Sequence, residues 1–254
     1  MTLLPLQQAI VYGPIDSRRL GLSLGINLLP QRYKLCSFDC IYCHYGQTDA
    51  KTLDPTPGDL PWTTEVVRAV EVGLRDHPAI DCLTFSGNGE PTLHPAFPKI
   101  VEGVRALRDR AAPDVRLALF SNATTLHRPA IRQALAQIDA PILKLDGGDE
   151  ATLQKINRPT SGIDHRSIVE GLSRVPNAII QSVLIGGARS NVTEGTLQAW
   201  MDVLARIGPA AVQVYSTDYP VAQAGIKPVP PYRLREIARR AEREVGQPVR
   251  AYWL

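Results

Sequence analysis

The chain has 254 residues, of which 44% are hydrophobic and 21% are charged, and its formal net charge is +3. This length and apolar content allow a substantial core, and the small positive charge permits an anionic partner without requiring one. No apolar run reaches the length of a membrane span and residues 1–7 lack the pattern of a secretion signal, so the sequence predicts a cytoplasmic protein with no membrane partner.

Short apolar runs alternate with amphipathic stretches from residue 62 onward, which is typical of β/α units around a parallel sheet. We expect the first barrel strand just before Cys36, after an N-terminal extension over residues 1–30 that is partly β. Strands are predicted near 82–86, 116–121, 141–146, 179–185, 211–215 and 249–252, and helices near 63–76, 95–110, 129–138, 163–174, 193–207 and 231–245. The expected fold class is α/β, an open, partial (β/α)6 TIM-like barrel that forms a single domain over residues 1–254.

Three cysteines lie close together in residues 34–43 with the spacing C-x3-C-x2-C. They are Cys36, Cys40 and Cys43, here called the cysteine triplet. Three thiolates can hold three irons of a four-iron cubane, because such clusters are ligated by cysteine sulfur. The fourth iron then has no protein ligand and can bind a small molecule through amino and carboxylate groups. Such a site would carry out chemistry at the metal rather than electron transfer alone.

Three other interpretations of the triplet are open from the sequence. The cysteines share one helical face and could be small buried apolar residues, as we expect for Cys82, although Asp39 and Gly46 disfavour a long helix there. Zinc is a second possibility because His44 supplies a fourth ligand, but adjacent residues rarely reach one tetrahedral ion together. A disulfide framework is disfavoured by only four cysteines in 254 residues without a secretion signal.

A glycine-rich turn follows the predicted strand near residues 82–86, and with the triplet it makes the chain resemble the radical S-adenosylmethionine enzymes. The triplet matches their cluster signature, including an aromatic residue, Tyr42, before the last cysteine. The turn resembles their Gly-Gly-Glu-Pro motif with one extra residue between the glycines. Glycine suits a turn whose backbone approaches a ligand closely. The resemblance implies a 4Fe-4S cluster on the triplet, and S-adenosylmethionine bound by Tyr42 and by the turn residues Gly87, Asn88, Gly89, Glu90 and Pro91, with Glu90 facing the methionine ammonium.

A closer resemblance extends over most of the chain. Residues 12–27, 121–125, 144–149 and 156–159 are similar to a subgroup of Fe-S oxidoreductases that is grouped with the wybutosine-type tRNA-modifying radical enzymes. The resemblance implies reductive cleavage of S-adenosylmethionine to a 5′-deoxyadenosyl radical, which abstracts hydrogen from a substrate. It also implies an electron donor such as flavodoxin or ferredoxin. It leaves the substrate open between an unidentified small molecule and a tRNA base.

Further candidate cofactor-binding residues end or follow the predicted strands, at the edge where parallel α/β barrels gather their ligand sites. Ser121 and Asn122 suit ribose hydroxyls or the methionine carboxylate, as the resemblance implies, although Asn122 could also cap a turn. Gly186 would let an adenine approach the backbone, or would simply form a turn. Tyr215 could line the adenine or substrate pocket, or pack in the core.

Candidate catalytic residues are Lys144, Asp146 and Arg158. The first two are two positions apart, so on a strand they point to the same side, and charges inside a barrel are costly unless they are paired or functional. Arg158 could reach the same mouth or pack its own loop. Arg18 and Arg19 precede the triplet and could bind an anionic substrate or cover the face of the cluster.

Two rival functions stay open from the sequence. Residues 42–44 are similar to the Tyr-Cys-His-Asn of glycyl-radical-enzyme activases, although Tyr45 replaces the asparagine. The chain also departs from the wybutosine-type enzymes, which carry a second cluster, because it has no further cysteine group to hold one. A non-enzymatic zinc-binding or interaction module is the alternative from another class of protein.

Overall fold

The structure is a computed structural model that describes residues 3–217 and 220–253. The strands are β1 Val11–Ser17, β2 Gly21–Ile26, β3 Leu35–Cys36, β4 Ala50–Lys51, β5 Cys82–Phe85, β6 Arg116–Ser121, β7 Ala140–Lys144, β8 Ile179–Val183, β9 Ile185–Gly187, β10 Ala211–Tyr215, β11 Ile226–Pro228 and β12 Val249–Tyr252. The α-helices are α1 Thr63–Asp76, α2 Phe97–Ala111, α3 Pro129–Leu135, α4 Glu150–Ile156, α5 His165–Leu172, α6 Glu194–Ile207 and α7 Pro231–Val245.

Eight strands form one sheet in the order β1-β2-β5-β6-β7-β8-β10-β12. Only the edge pair β1·β2 is antiparallel, and every other neighbouring pair is parallel. Each of the six crossovers between parallel strands contains at least one helix, so the chain forms six β/α units and ends on β12. The predicted α/β partial barrel is therefore confirmed.

The first barrel strand differs from the prediction. It is β2, which pairs in parallel with β5 and ends ten residues before Cys36. The two-residue strand that contains Cys36 pairs with β4 in a separate small sheet. Glycines interrupt the apolar pattern of β2 and conceal it in the sequence. Gly25 is required for packing, because a Cβ there would lie 2.1 Å from the ring of Tyr12 on the neighbouring strand. Part of the expected N-terminal extension thus belongs to the barrel sheet.

The sheet separates two apolar regions. Outward-facing strand residues such as Leu83 and Leu117 pack against the buried faces of the helices in the main core. A smaller inward cluster, which includes Leu20, Cys82 and Ala118, fills the interior near the amino ends of the strands. Burial of each large apolar side chain contributes roughly 1.5–3 kcal/mol, so both regions favour the curled sheet. The interior is consequently packed at its amino end, and polar residues are left for its carboxyl end.

Local signals set the ends of several helices. The α6 helix begins after Thr193, whose hydroxyl accepts a hydrogen bond from the Thr196 amide at 3.3 Å, and it ends at Gly208 in the left-handed conformation. The Asp149 carboxylate caps α4 in the same way by accepting from the Thr152 amide at 2.7 Å. None of the helices within the described ranges combines the length and apolar character needed to cross a membrane.

Candidate functional site

A cavity of about 390 Å³ opens at the carboxyl ends of the barrel strands. Most of the predicted site residues line it: Cys36, Cys40, Tyr42, Cys43, Gly87, Gly89, Glu90, Ser121, Asn122, Lys144 and Tyr215. They come from the cysteine loop and from the ends of β5, β6, β7 and β10, because the carboxyl ends of parallel strands meet at one edge of a sheet. The topology therefore joins segments that lie almost 180 residues apart.

The cysteine triplet lies on an irregular loop. The Cys43 amide donates to the Cys40 carbonyl at 3.1 Å and the Gly46 amide donates to the Cys43 carbonyl at 3.2 Å, which are turn contacts rather than helical ones. No helix covers residues 37–49, and all four cysteines are unpaired thiols. The triplet is thus neither one face of a core helix nor part of a disulfide framework.

The segment after α4 holds this loop in place. The Ile41 amide donates to the Ile156 carbonyl at 3.0 Å, and the Asp39 amide donates to the Asn157 carbonyl at 2.9 Å. The side-chain amide of Asn157 also donates to the Cys40 sulfur at 3.3 Å. These contacts connect the loop backbone and the Cys40 sulfur to the segment around residue 157.

The surroundings of the triplet fit an iron-sulfur cluster. Burial raises the pKa of the Cys36 thiol to about 12 and that of the Cys40 thiol to about 11, so their thiolates need compensating charge or a metal. Lys34 is buried beside them, with its Nζ donating to the Gly46 carbonyl at 2.7 Å. Burial lowers the pKa of Lys34, but the neighbouring thiols outweigh that effect and raise it. The side-chain amide of Asn122 lies 3.6 Å from the Cys36 sulfur and is a further hydrogen-bond donor to it.

A single zinc ion suits the geometry less well. In the part of the chain that the structure describes, no group of three or more His, Cys, Asp or Glu side chains is arranged to hold one metal ion. His44, the fourth ligand that zinc would need, instead has its Nδ1 at 3.2 Å from the Pro220 carbonyl. Sulfurs spread around a cavity suit a cluster, in which each cysteine binds a different iron.

The glycine turn is hydrogen-bonded to the residue that precedes the triplet. The Leu35 amide donates to the Asn88 carbonyl at 3.0 Å, and the Glu90 amide donates back to the Leu35 carbonyl at 3.2 Å. The two motifs that carry the family resemblance are therefore physically joined. The Asn88 side chain points away from the cavity and donates to the Pro30 carbonyl at 2.8 Å, so this extra residue has a bracing role.

The Glu90 carboxylate connects the turn to the end of β6. Its Oε1 accepts a hydrogen bond from the Ser121 hydroxyl at 2.8 Å, and its Oε2 accepts one from the backbone amide of Asn122 at 2.6 Å. The side chain is 2% exposed, and its burial raises the pKa although these hydrogen bonds oppose the rise. The three predicted residues thus form one unit, with a fixed acidic group at the cavity wall.

Asp146 is at the centre of a hydrogen-bond network behind the cavity. Its carboxylate accepts from the Val183 amide at 2.8 Å and from the Asn157 amide at 2.7 Å, and it makes a short hydrogen bond with the Tyr42 hydroxyl. Lys144 Nζ lies 3.9 Å away and faces the cavity. Burial lowers the pKa of Lys144, but the Asp146 carboxylate outweighs this and raises it, so the ammonium is charged. Asp146 therefore ties β7 and β8 to the cysteine loop.

Three other predicted residues lie outside the main cavity. Arg158 lines a separate cavity of about 200 Å³ on the far side of Cys40, where its guanidinium hydrogen-bonds to Gln223 and lies 3.7 Å from the Asp39 carboxylate. Gly186 is part of the small β9·β11 sheet. Pro91 begins a short 3-10 helix, where its ring supports the turn.

Three residues of the site were not predicted from the sequence. Lys34 stands two positions before the triplet, Asn157 lies within one of the stretches similar to the subgroup, and Gln181 is a polar residue inside the apolar strand β8. Gln181 carried a signal, since a lone polar residue in an apolar run usually needs a buried partner. Only the folded structure shows what each one faces.

Comparison with known proteins places the site in a family. Residues 31–187 match the model of the Radical SAM superfamily. A UPF0026 protein of Methanocaldococcus jannaschii is 31% identical over 226 residues, which cover 86% of this chain and 67% of that protein. A radical SAM methyltransferase from Sphaerobacter thermophilus has a similar structure, with a TM-score of 0.66 and 12% identity over 91% of this chain and 65% of that chain. Streptococcus suis SuiB bound to S-adenosylmethionine has a TM-score of 0.58 and 13% identity over 86% of this chain and 45% of that chain.

Proposed function

Because the chain belongs to the radical SAM superfamily, an enzyme family that uses a 4Fe-4S cluster and S-adenosylmethionine, we propose that it abstracts hydrogen from a small-molecule substrate held in the main cavity. The observation that supports this proposal is the hydrogen-bonded contact of the glycine turn with Leu35, the residue before the triplet. The family assignment removes the alternative of a non-enzymatic zinc module.

Different residues of the cavity would bind the cluster and S-adenosylmethionine. The cysteine triplet binds three irons of the cluster, and the buried Lys34 ammonium offsets part of the thiolate charge. The Glu90 carboxylate would accept hydrogen bonds from the methionine ammonium, while Ser121 and Asn122 hold that carboxylate in place. When bound, cluster and S-adenosylmethionine together supply a one-electron cleavage to methionine and a 5′-deoxyadenosyl radical, which takes a hydrogen atom from the substrate.

An external one-electron donor such as flavodoxin or ferredoxin completes the reaction. Besides the triplet, the chain has only Cys82, which is fully buried in β5 and has no cysteine neighbour to build a second cluster. We propose that another protein supplies this electron in the cell. The need for reduced thiols and for such a donor is consistent with a cytoplasmic location.

The closed end of the cavity supports a small substrate. The apolar cluster around Leu20 fills the interior at the amino end, so the space beside the cofactors is bounded. Lys144 and Tyr215 also line the cavity, where they can orient a substrate beside the cofactor.

Anaerobic reconstitution tests the proposal. The wild type should bind about four irons with matching sulfide, and Cys36→Ala, Cys40→Ala and Cys43→Ala should each lose the cluster. Cys82→Ala is the matched control and should keep it, because that thiol packs in the sheet. The reconstituted wild type with dithionite should release 5′-deoxyadenosine. Stoichiometric zinc without iron or sulfide would contradict the proposed chemistry.

Substrate class is tested by the same product. We expect a small-molecule fraction of a cell extract to stimulate 5′-deoxyadenosine release above the level without extract. Stimulation by purified tRNA alone would contradict the small-molecule proposal and favour a tRNA base. Stimulation by a protein fraction alone would favour the activase alternative.

A further inference from the structure

Arg19 reaches into the barrel interior from the turn between β1 and β2. Its guanidinium carbon lies 5.1 Å from the centre of the Phe120 ring and 5.0 Å from the centre of the Tyr215 ring. The two rings stand at the ends of β6 and β10, so the guanidinium is held between strands that lie three positions apart in the sheet. The arrangement fixes the position of a cation that lines the main cavity.

Within the part of the chain that the structure describes, this cation has no acidic partner. Among residues 3–217 and 220–253, no ion pair engages Arg19, and its buried Nη1 has no hydrogen-bond partner. Arginine cannot lose its proton in a protein, so the charge is permanent. A buried donor without an acceptor is expensive, and such groups in native structures call for an explanation.

A second unpaired donor lines the same cavity. Gln181 is 6% exposed, and its Nε2 is buried without a partner in the described part of the chain. Its Oε1 accepts a hydrogen bond from the Tyr215 hydroxyl at 3.4 Å, which fixes the side on which the amide nitrogen lies. Tyr215 thus contacts both groups, with its ring under the Arg19 guanidinium and its hydroxyl on Gln181.

The other cations of the cavity are already matched. Lys34 lies among the triplet thiols, and Lys144 pairs with Asp146. Among the described residues that line the cavity, Arg19 is the cation that remains without such a partner. A guanidinium and an amide that both donate are suited to the oxygens of one acidic group.

We infer that Arg19 and Gln181 form a subsite for an anionic group, a carboxylate or a phosphate, on the substrate. The inference deepens the proposed function by naming the substrate class, and it rests on that function only in calling the ligand a substrate. Gln181 and Tyr215 belong to β8 and β10, whereas the glycine turn follows β5, so the bound acid would anchor one end of the substrate and leave the other end toward the cofactor.

Anion binding tests this directly. Reconstituted protein saturated with S-adenosylmethionine is titrated with sodium phosphate or sodium acetate at constant ionic strength, and the thermal midpoint is followed. We expect a saturable rise for the wild type. Arg19→Met and Gln181→Leu should each raise the half-saturating concentration tenfold or more, because each removes a charge-assisted or buried hydrogen bond. Arg19→Lys keeps the positive charge but loses the paired donors of the guanidinium. Its half-saturating concentration should lie between those of the wild type and Arg19→Met.

Gln213→Leu is the matched control. Gln213 is the register partner of Gln181 on β10 and is similarly buried, but its unpaired atom is an acceptor, Oε1. It should bind both anions like the wild type. A saturable response to phosphate alone assigns a phosphate, and one to acetate alone assigns a carboxylate; either supports the subsite. Crystals of the wild type soaked in sodium bromide should show an anomalous peak beside Arg19. This measurement does not depend on the folding of any variant.

Three results would overturn the inference. One is equal half-saturation in the wild type, Arg19→Met, Gln181→Leu and Gln213→Leu. Another is a response without saturation. The third is a rise of the thermal midpoint with added anion that is seen only when S-adenosylmethionine is absent. The site would then be the one that binds the carboxylate of the cofactor. Iron content and 5′-deoxyadenosine release by the wild type separate these failures from a failure of the proposed function.

Discussion

The carbonyl oxygen of Leu35 occupies the space where a side chain on Gly89 would begin. A Cβ at Gly89 would lie 1.7 Å from this oxygen, and Gly89 has a backbone φ of +144°. The two backbones come this close because they pair as a parallel bridge. Glycine is thus required by contact with the cysteine loop, in addition to any contact with a ligand.

Gly89→Ala should therefore lower stability and iron binding together. The unfavourable backbone region alone costs roughly 1–3 kcal/mol, and the clash adds to it. Urea unfolding of the apo-protein and iron analysis after reconstitution measure the two effects. Gly195→Ala is the control, because Gly195 is near the start of α6 with nothing within 4 Å of its Cβ position, and it should be neutral or slightly stabilising. Wild-type stability of Gly89→Ala would contradict the close contact.

Glu90→Gln should weaken S-adenosylmethionine binding by tenfold or more. The substitution keeps the shape and removes the charge that faces the methionine ammonium, and a charge-assisted hydrogen bond contributes about 1.5–3 kcal/mol. Equilibrium dialysis with the reconstituted protein measures the affinity, and the visible spectrum reports the cluster. Glu102→Gln on the exposed face of α2 is the control. If both variants bind the cofactor equally well, the ammonium is held elsewhere.

Asp146→Ala should destabilise the protein by about 3–5 kcal/mol, since removal of one partner leaves the Lys144 charge buried and unpaired. The Tyr42 hydroxyl and the Asn157 amide also lose their acceptor, so we expect a looser cysteine loop and less bound iron. Denaturant unfolding gives the free energy. Asp54→Ala, which removes a 94% exposed carboxylate, should stay within about 0.5 kcal/mol of the wild type. Equal effects of the two substitutions would rule out the bracing role.

Acid sensitivity should depend on Asp139. Burial acts to raise the pKa of its carboxyl, but the Leu117 amide at 2.7 Å and the Arg108 guanidinium at 2.7 Å outweigh burial and lower it. A lowered pKa contributes stability above the unfolded value of about 4, and this stability is lost as the pH falls through the folded value.

Asp139→Asn should accordingly be less stable than the wild type at pH 7, and the difference should shrink as the pH falls from about 4 toward 2. Thermal or urea unfolding across this range measures it. Asp109→Asn is a useful comparison, because its carboxylate contacts the same Arg108 at 2.7 Å, whereas the Asp139 carboxylate also accepts from the Leu117 amide. A pH-independent difference between Asp139→Asn and the wild type would show that the carboxylate charge is not involved.

The sequence alone was sufficient for features that depend on local pattern. The alternation of apolar runs predicted the barrel strands from residue 82 onward and most helices to within a few residues, because a strand or helix that faces a core must repeat its apolar side chains. The cysteine spacing and the glycine turn, through their resemblance to a known family, likewise predicted the cofactors. The metal ligand that a cysteine supplies and the backbone freedom of a glycine are properties of the residues themselves.

Tertiary structure decided what depends on contacts between distant segments. The β2 strand was not recognised because Gly25 interrupts its pattern to admit the Tyr12 ring, a contact that no local pattern encodes. The burial of Asp146 against Tyr42 and the distance of Arg158 from the main cavity follow from how the segment after α4 folds over the cysteine loop. In the same way, Arg19 and Gln181 are 162 positions apart in the chain and face one cavity only because the sheet curls. Residue type fixes which chemistry a side chain can perform, whereas long-range packing fixes which partner it meets.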